Sequence, residues 1–139
     1  MPKLIPSADK VYQTWLQQIS DTAKNLPQIT KAAEFWANQV IKEGGEVYAS
    51  GDFGFWRECV HRAGGIGFVR KLTPDVVLDK NDVVLVGFEY TDATNRWQIL
   101  EPILKSGATV LLFAETGAEE EFKDIKQSYN QLILIPCNK

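Results

Sequence analysis

Three stretches of this chain are strand-length and almost continuously apolar: Asp82–Phe88 (DVVLVGF), Ala108–Ala114 (ATVLLFA) and Gln131–Pro136 (QLILIP). A strand with one wet face alternates apolar and polar residues. A run without alternation buries both faces, and sheets covered on both sides are parallel sheets with helices in their crossovers. The segments between these runs have helical spacing and helical length, so the pattern predicts an α/β domain.

The remaining elements fit that frame. Ser7 caps a first helix that runs to about Asn25, with Val11, Trp15 and Ile19 recurring every four residues and Tyr12 and Leu16 beside them. Pro27 opens a second helix with the stripe Ile29, Ala32, Ala33, Trp36 and Val40, ending at Gly44-Gly45. Glu46–Ser50 is a short buried strand. It feeds a helix over Gly54–Ala63 through the glycine turn Gly51–Gly54, and that helix runs out at Gly64-Gly65. Ile66–Lys71 is an edge strand, which suits Arg70 and Lys71. The ten residues from Leu72 to Asn81 are too few for a crossover helix and must loop across. Thr94 or Asn95 caps a helix to about Lys105 that contains Pro102. Thr116 with Glu119 forms a capping box for a helix through Ser128.

The expected fold is therefore three layers, α/β/α. Two helices precede the first strand, and the five-stranded parallel sheet has the order 2-1-3-4-5. All 139 residues form one domain. Two early helices that each carry a Trp exceed what a small sheet covers. One of their faces is expected to be a subunit interface in a homo-oligomer, or else plain core packing.

Composition narrows the function classes. The net charge is −3 and the pI about 5.2, which argues against nucleic acid or an anionic membrane as the main partner. No apolar run has membrane-spanning length and the start of the chain has no signal-peptide core, so the expected location is the cytoplasm. Cys59 and Cys137 lie far apart and read as free thiols. One His and two separated Cys give no metal cluster. No Walker loop, G-x-G-x-x-G or nucleophile elbow is present, so no cofactor is expected.

Three motifs in order carry a resemblance: ECVHRAGG (Glu58–Gly65), DVVLVGFEYTDATN (Asp82–Asn95) and KSGATVLLFAETG (Lys105–Gly117). Across about Ile29 to Pro136 the chain resembles the sugar isomerase (SIS) domain family, and within it the phosphoheptose isomerases. The resemblance implies a ligand site made by two loops. Thr91-Asp92-Ala93-Thr94 falls on the family's Ser-Gly-x-Thr, so it implies a phosphate cradle at Thr91, Asp92, Thr94 and Asn95. Hydroxyls and unpaired N–H groups at a helix N-terminus would hold the anion there. Asp92 replaces the family's Gly and brings a negative charge. These residues equally fit a turn and a helix cap. The loop after the first strand is about three residues shorter than the family's. Ser50 and Gly51 are its candidate contacts, and Phe53, Phe55 and Trp56 make it aromatic.

The resemblance also places Glu58 near the family's catalytic Glu. His61, three residues on, is its helix neighbour and a candidate acid–base partner. Both also fit plain surface positions. The family's His on a helix after the last strand has no counterpart. The expected function is a divergent SIS-like protein that binds a sugar phosphate or similar small anion, with weak or no isomerase activity. The alternatives are a phosphoheptose-type isomerase completed across a subunit interface, and an oligomerisation domain without a ligand. A phospho-receiver domain fails on residues, since the third strand ends in Gly87-Phe88 where the acceptor Asp should stand.

Overall fold

The structure is a computed structural model, and it describes residues 7–61, 67–89, 91–115 and 118–137. In chain order the elements are α1 (Ala8–Ala23), α2 (Leu26–Ile41), β1 (Val47–Gly51), α3 (Phe53–His61), β2 (Val69–Lys71), β3 (Val83–Gly87), α4 (Ala93–Lys105), β4 (Thr109–Glu115), α5 (Glu119–Ser128) and β5 (Leu132–Cys137). The five strands form one sheet in the order β2-β1-β3-β4-β5. Every pairing is parallel, with Gly51 opposite Gly87 and Gly87 opposite Phe113 at the carboxyl ends. The expected architecture is the observed one.

Side-chain alternation splits the core in two. Val84, Val86, Val110 and Leu112 face α4 and α5, where Leu100, Ile103, Leu104 and Phe122 meet them. Val47, Ala49, Val83, Leu85 and Leu111 face the opposite way, toward Ala32 and Trp36 of α2 and Phe55 and Trp56 of α3. All five residues of β3 are buried, as its unbroken apolar run requires. A fully buried Leu such as Leu100 or Leu112 contributes about 1.5–3 kcal/mol relative to the same side chain in water.

The two early helices have different fates. α2 lies on the sheet with Ala32 buried and Ile29, Trp36 and Val40 packed beside it. Trp36 meets Phe68 edge-on, with ring centroids 6.1 Å apart. In α1 every residue keeps at least part of its surface in water. Trp36 is thus core packing, while Trp15 is 63% exposed.

Local signals hold with one exception. Ser7 caps α1 by accepting from the Lys10 N–H. The cap of α4 is Asp92, two or three residues before the expected Thr94 or Asn95. Asp92 has extended backbone, and its carboxylate accepts both the N–H and the side-chain amide of Asn95, each at 2.9 Å. A carboxylate accepts more bonds than a hydroxyl and suits the positive end of the helix, so it takes the cap. α4 continues through Pro102 to Lys105. α5 begins at Glu119; the box expected at Thr116, the helix end at Gly64-Gly65 and the strand start at Ile66 lie outside the described residues.

Asp82 is a buried carboxylate, 7% exposed. It accepts the N–H groups of Glu46 and Asp79, both at 2.9 Å, and so fastens the start of β1 to the loop before β3. At the far edge, the Asn25 amide donates to the Pro136 carbonyl at 3.2 Å. The Leu132 N–H donates to Tyr129.

Candidate functional site

In an open parallel sheet, ligands bind beyond the carboxyl ends of the strands, where the strand order reverses. Here the order reverses between β1 and β3, and a crevice of about 450 Å³ opens there, lined by residues that include Asp52, Phe55, Gly87, Glu89, Phe113, Glu115 and Cys137. Two glycines shape its base. Gly51 has φ +101° and backs onto the Gly87 backbone, so a side chain at Gly51 has neither the conformation nor the space. A Cβ at Gly87 would occupy the ring of Phe55. The Phe55 ring therefore rests on bare backbone and meets Phe113, with centroids 5.3 Å apart and planes tilted by 41°. These two rings form the apolar side of the crevice.

Its polar side is carboxylate. Asp52 follows β1 directly, and its N–H donates to the Gly87 carbonyl at 2.9 Å. Its side chain accepts the Glu89 N–H at 2.5 Å and the Thr91 hydroxyl. The loop after β1 and the loop after β3 thus meet, as expected, but a carboxylate of the protein joins them. Glu89 is exposed at the rim and Glu115 half-buried. The Cys137 sulfur is turned toward the Ile135 carbonyl at 3.7 Å, and burial pushes its thiol pKa up.

The structure distributes the sequence-predicted residues over several places. Gly51 backs onto Gly87 and does not itself line the crevice. Ser50 points to the other face of the sheet, into a groove between the Leu72–Leu78 loop and Ile99, Pro102 and Ile103 of α4. Thr91, Asp92 and Asn95 line an open cleft with Gln98 and Ile99, and Ile99 borders both spaces. Thr94 is exposed on the first turn of α4. Two of the donors expected to cradle a phosphate are already engaged: the Thr91 hydroxyl with Asp52, and the Asn95 N–H with Asp92. Arg96 is also committed. It donates to the Thr91 carbonyl at 2.5 Å and to Glu121 at 3.0 Å, and its guanidinium stands 5.9 Å over the Phe88 ring.

Glu58 and His61 are exposed on α3, and neither lines the crevice. The His61 ring contacts Trp56 edge-on at 6.0 Å. Trp56 also carries Lys71 over its face at 4.2 Å. Among the described residues no group of His, Cys, Asp and Glu could hold a metal ion, and no helix is long and apolar enough to cross a membrane.

Sequence reasoning passed over Asp52, Glu89, Phe113 and Cys137. The position of Asp52 right after the first strand was a usable signal, because that is where the switch-point crevice opens. Comparison with family models, with curated proteins and with solved structures finds no match to this chain.

Proposed function

We propose that this chain is a small-ligand-binding module of SIS-like type that holds a sugar or sugar derivative in the crevice at the carboxyl ends of β1, β3 and β4, without appreciable isomerase activity. The observation that carries the reading is the pairing, at the switch point, of the Phe55 and Phe113 rings with the Asp52, Glu89 and Glu115 carboxylates. Aromatic rings offer flat apolar surface to the C–H face of a pyranose. Carboxylates are pure acceptors and take ring hydroxyls as donors. A concave site with apolar walls and a few convergent polar groups is what a small ligand needs.

The same chemistry selects the ligand's charge. Three carboxylates in the crevice, and a fourth at the cap of α4, favour a neutral or amino sugar over a phosphate dianion. The resemblance to phosphosugar-binding proteins supports the ligand class, and the engaged donors at Thr91 and Asn95 support the loss of the phosphate preference. Isomerisation needs a base within hydrogen-bond reach of the substrate carbons. Glu58 and His61 stand outside the crevice lining, which supports a binding role over a catalytic one.

Thermal unfolding with panels of neutral sugars, amino sugars and sugar phosphates tests this. Stabilisation by at least one neutral or amino sugar is expected, and Glu89→Gln at the rim should weaken it. No shift with any panel, or a shift with phosphorylated sugars alone that is lost on Thr94→Val, would overturn it. Turnover of a heptose phosphate that disappears on Glu58→Gln would establish the isomerase alternative.

A further inference from the structure

The α1 helix presents an apolar face to water. Val11, Tyr12, Trp15, Leu16 and Ile19 lie on one side of it, and Trp15 and Ile19 are 63% and 67% exposed. Together these side chains expose roughly 500 Å² of mostly apolar surface, at the upper end of what monomeric proteins leave in one patch. The opposite side is polar, with Gln13, Gln17 and Lys10.

The spacing and charge of this helix identify what covers it. Ala8, Tyr12, Trp15 and Ile19 follow each other by four, three and four residues, the seam spacing of a helix that packs along another helix. A helix that lies on a lipid surface carries Lys and Arg along its polar face. In α1 and its C-cap the charges are Asp9, Lys10, Asp21 and Lys24, two of each sign. Lys24 is already paired with Asp21 at 3.0 Å. The helix therefore has no basic stripe for anionic headgroups and no net charge to oppose an identical copy. Joining two such faces buries at most about 1,000 Å² in total, the lower bound for a biological interface and the size of a weak, reversible one. Tyr and Trp at its centre are the residue types that dominate such contacts.

We infer that α1 is a self-association surface: two copies of this chain pair through their α1 helices, with Trp15 and Ile19 at the centre. The inference is independent of the ligand proposed for the crevice, which lies at the strand ends and uses no α1 residue.

Sedimentation of the full chain between about 1 and 100 µM tests it. A monomer–dimer equilibrium is expected, and Trp15→Glu should weaken it at least about 30-fold, the least expected for loss of a central aromatic anchor. Because Trp15 is outside the core, the variant should keep the wild-type far-UV signal and melting temperature. Ile19→Gln, a neutral change on the same seam, provides a second reading if Trp15→Glu fails to fold. Monomer at 100 µM, or a dimer unaffected by both changes, would overturn the inference. So would co-sedimentation of the wild-type chain with phosphatidylserine-containing vesicles that Ile19→Gln abolishes while the chain stays monomeric.

Discussion

The Thr91 hydroxyl donates to the Asp52 carboxylate and so fastens the loop after β3 to the turn after β1. The same carboxylate takes the Glu89 N–H. Two loops that bracket the switch point are thereby held in one arrangement before any ligand arrives. Preorganisation of this kind lowers the ordering cost of binding.

Thr91→Val keeps the shape and removes the donor. Hydrogen bonds to charged groups contribute about 1.5–3 kcal/mol, and Thr91 is half-buried. The variant should lose stability toward the lower end of that range in urea unfolding. The backbone amide of residue 89 should also exchange faster with solvent, because its acceptor is no longer held in place.

Gly87→Ala tests the base of the crevice. Its new methyl group would enter the space of the Phe55 ring. Overpacking of this kind costs about 1–3 kcal/mol. The ring must swing toward the crevice, so ligand affinity should fall along with stability. Combining the change with Phe55→Ala should cost less than the two single losses added, since the clash is then absent.

Asp82→Ala should cost about 2–3 kcal/mol. It leaves the N–H groups of Glu46 and Asp79 without their acceptor in a buried setting. Chemical denaturation measures the loss. Asp82→Asn, which keeps one acceptor oxygen, should recover part of it.

The cysteines give a pH-dependent readout. Burial raises the pKa of both Cys59 and Cys137 above the ordinary 9.0, with the nearby Glu58 charge adding to the effect at Cys59. The thiolate is the reactive form. Near pH 8, iodoacetamide should therefore modify both more slowly than a small free thiol, and the gap should close as the pH rises through the raised pKa. A raised thiol pKa means that folding favours the protonated form. That contribution to stability is complete below the unfolded value and disappears as pH rises through the folded one. A ligand in the crevice should protect Cys137, which lines it, and leave the rate at Cys59 unchanged.

The strands were legible in the sequence because their signal is local. Val83–Gly87 and Val110–Ala114 are apolar throughout, and only a doubly covered strand has use for that. The strand order followed from alternation with helices, since crossover geometry leaves few arrangements. Other features depended on partners far away in sequence. Thr91 and Asp92 were recognisable as turn residues, but the acceptor of the Thr91 hydroxyl is 39 residues earlier, and no spacing rule reaches that far. Trp15 and Trp36 sit on apolar stripes that periodicity cannot rank. The sheet has room for one of them, and α2, which lies next to β1 in the chain, takes the place. Asp82 looks like the polar end of a strand until the two N–H groups that converge on it are seen.

The outer side of β5 has a consequence for what happens when copies of this protein meet at high concentration. Gln131 offers its carbonyl inward to Val110, so alternate residues Leu132, Leu134 and Pro136 turn their backbone groups away from β4. The Leu132 N–H is already given to Tyr129. Pro136 has no N–H to give, and its carbonyl is taken by Asn25. Among the described residues, Leu134 is the one outward residue with neither backbone group bonded to another. A fibril-forming strand needs a ladder several residues long to dock and propagate. The apolar stretch LILIP, alone an obvious seed for stacking, is thereby made a poor template, and the sheet stops growing at five strands.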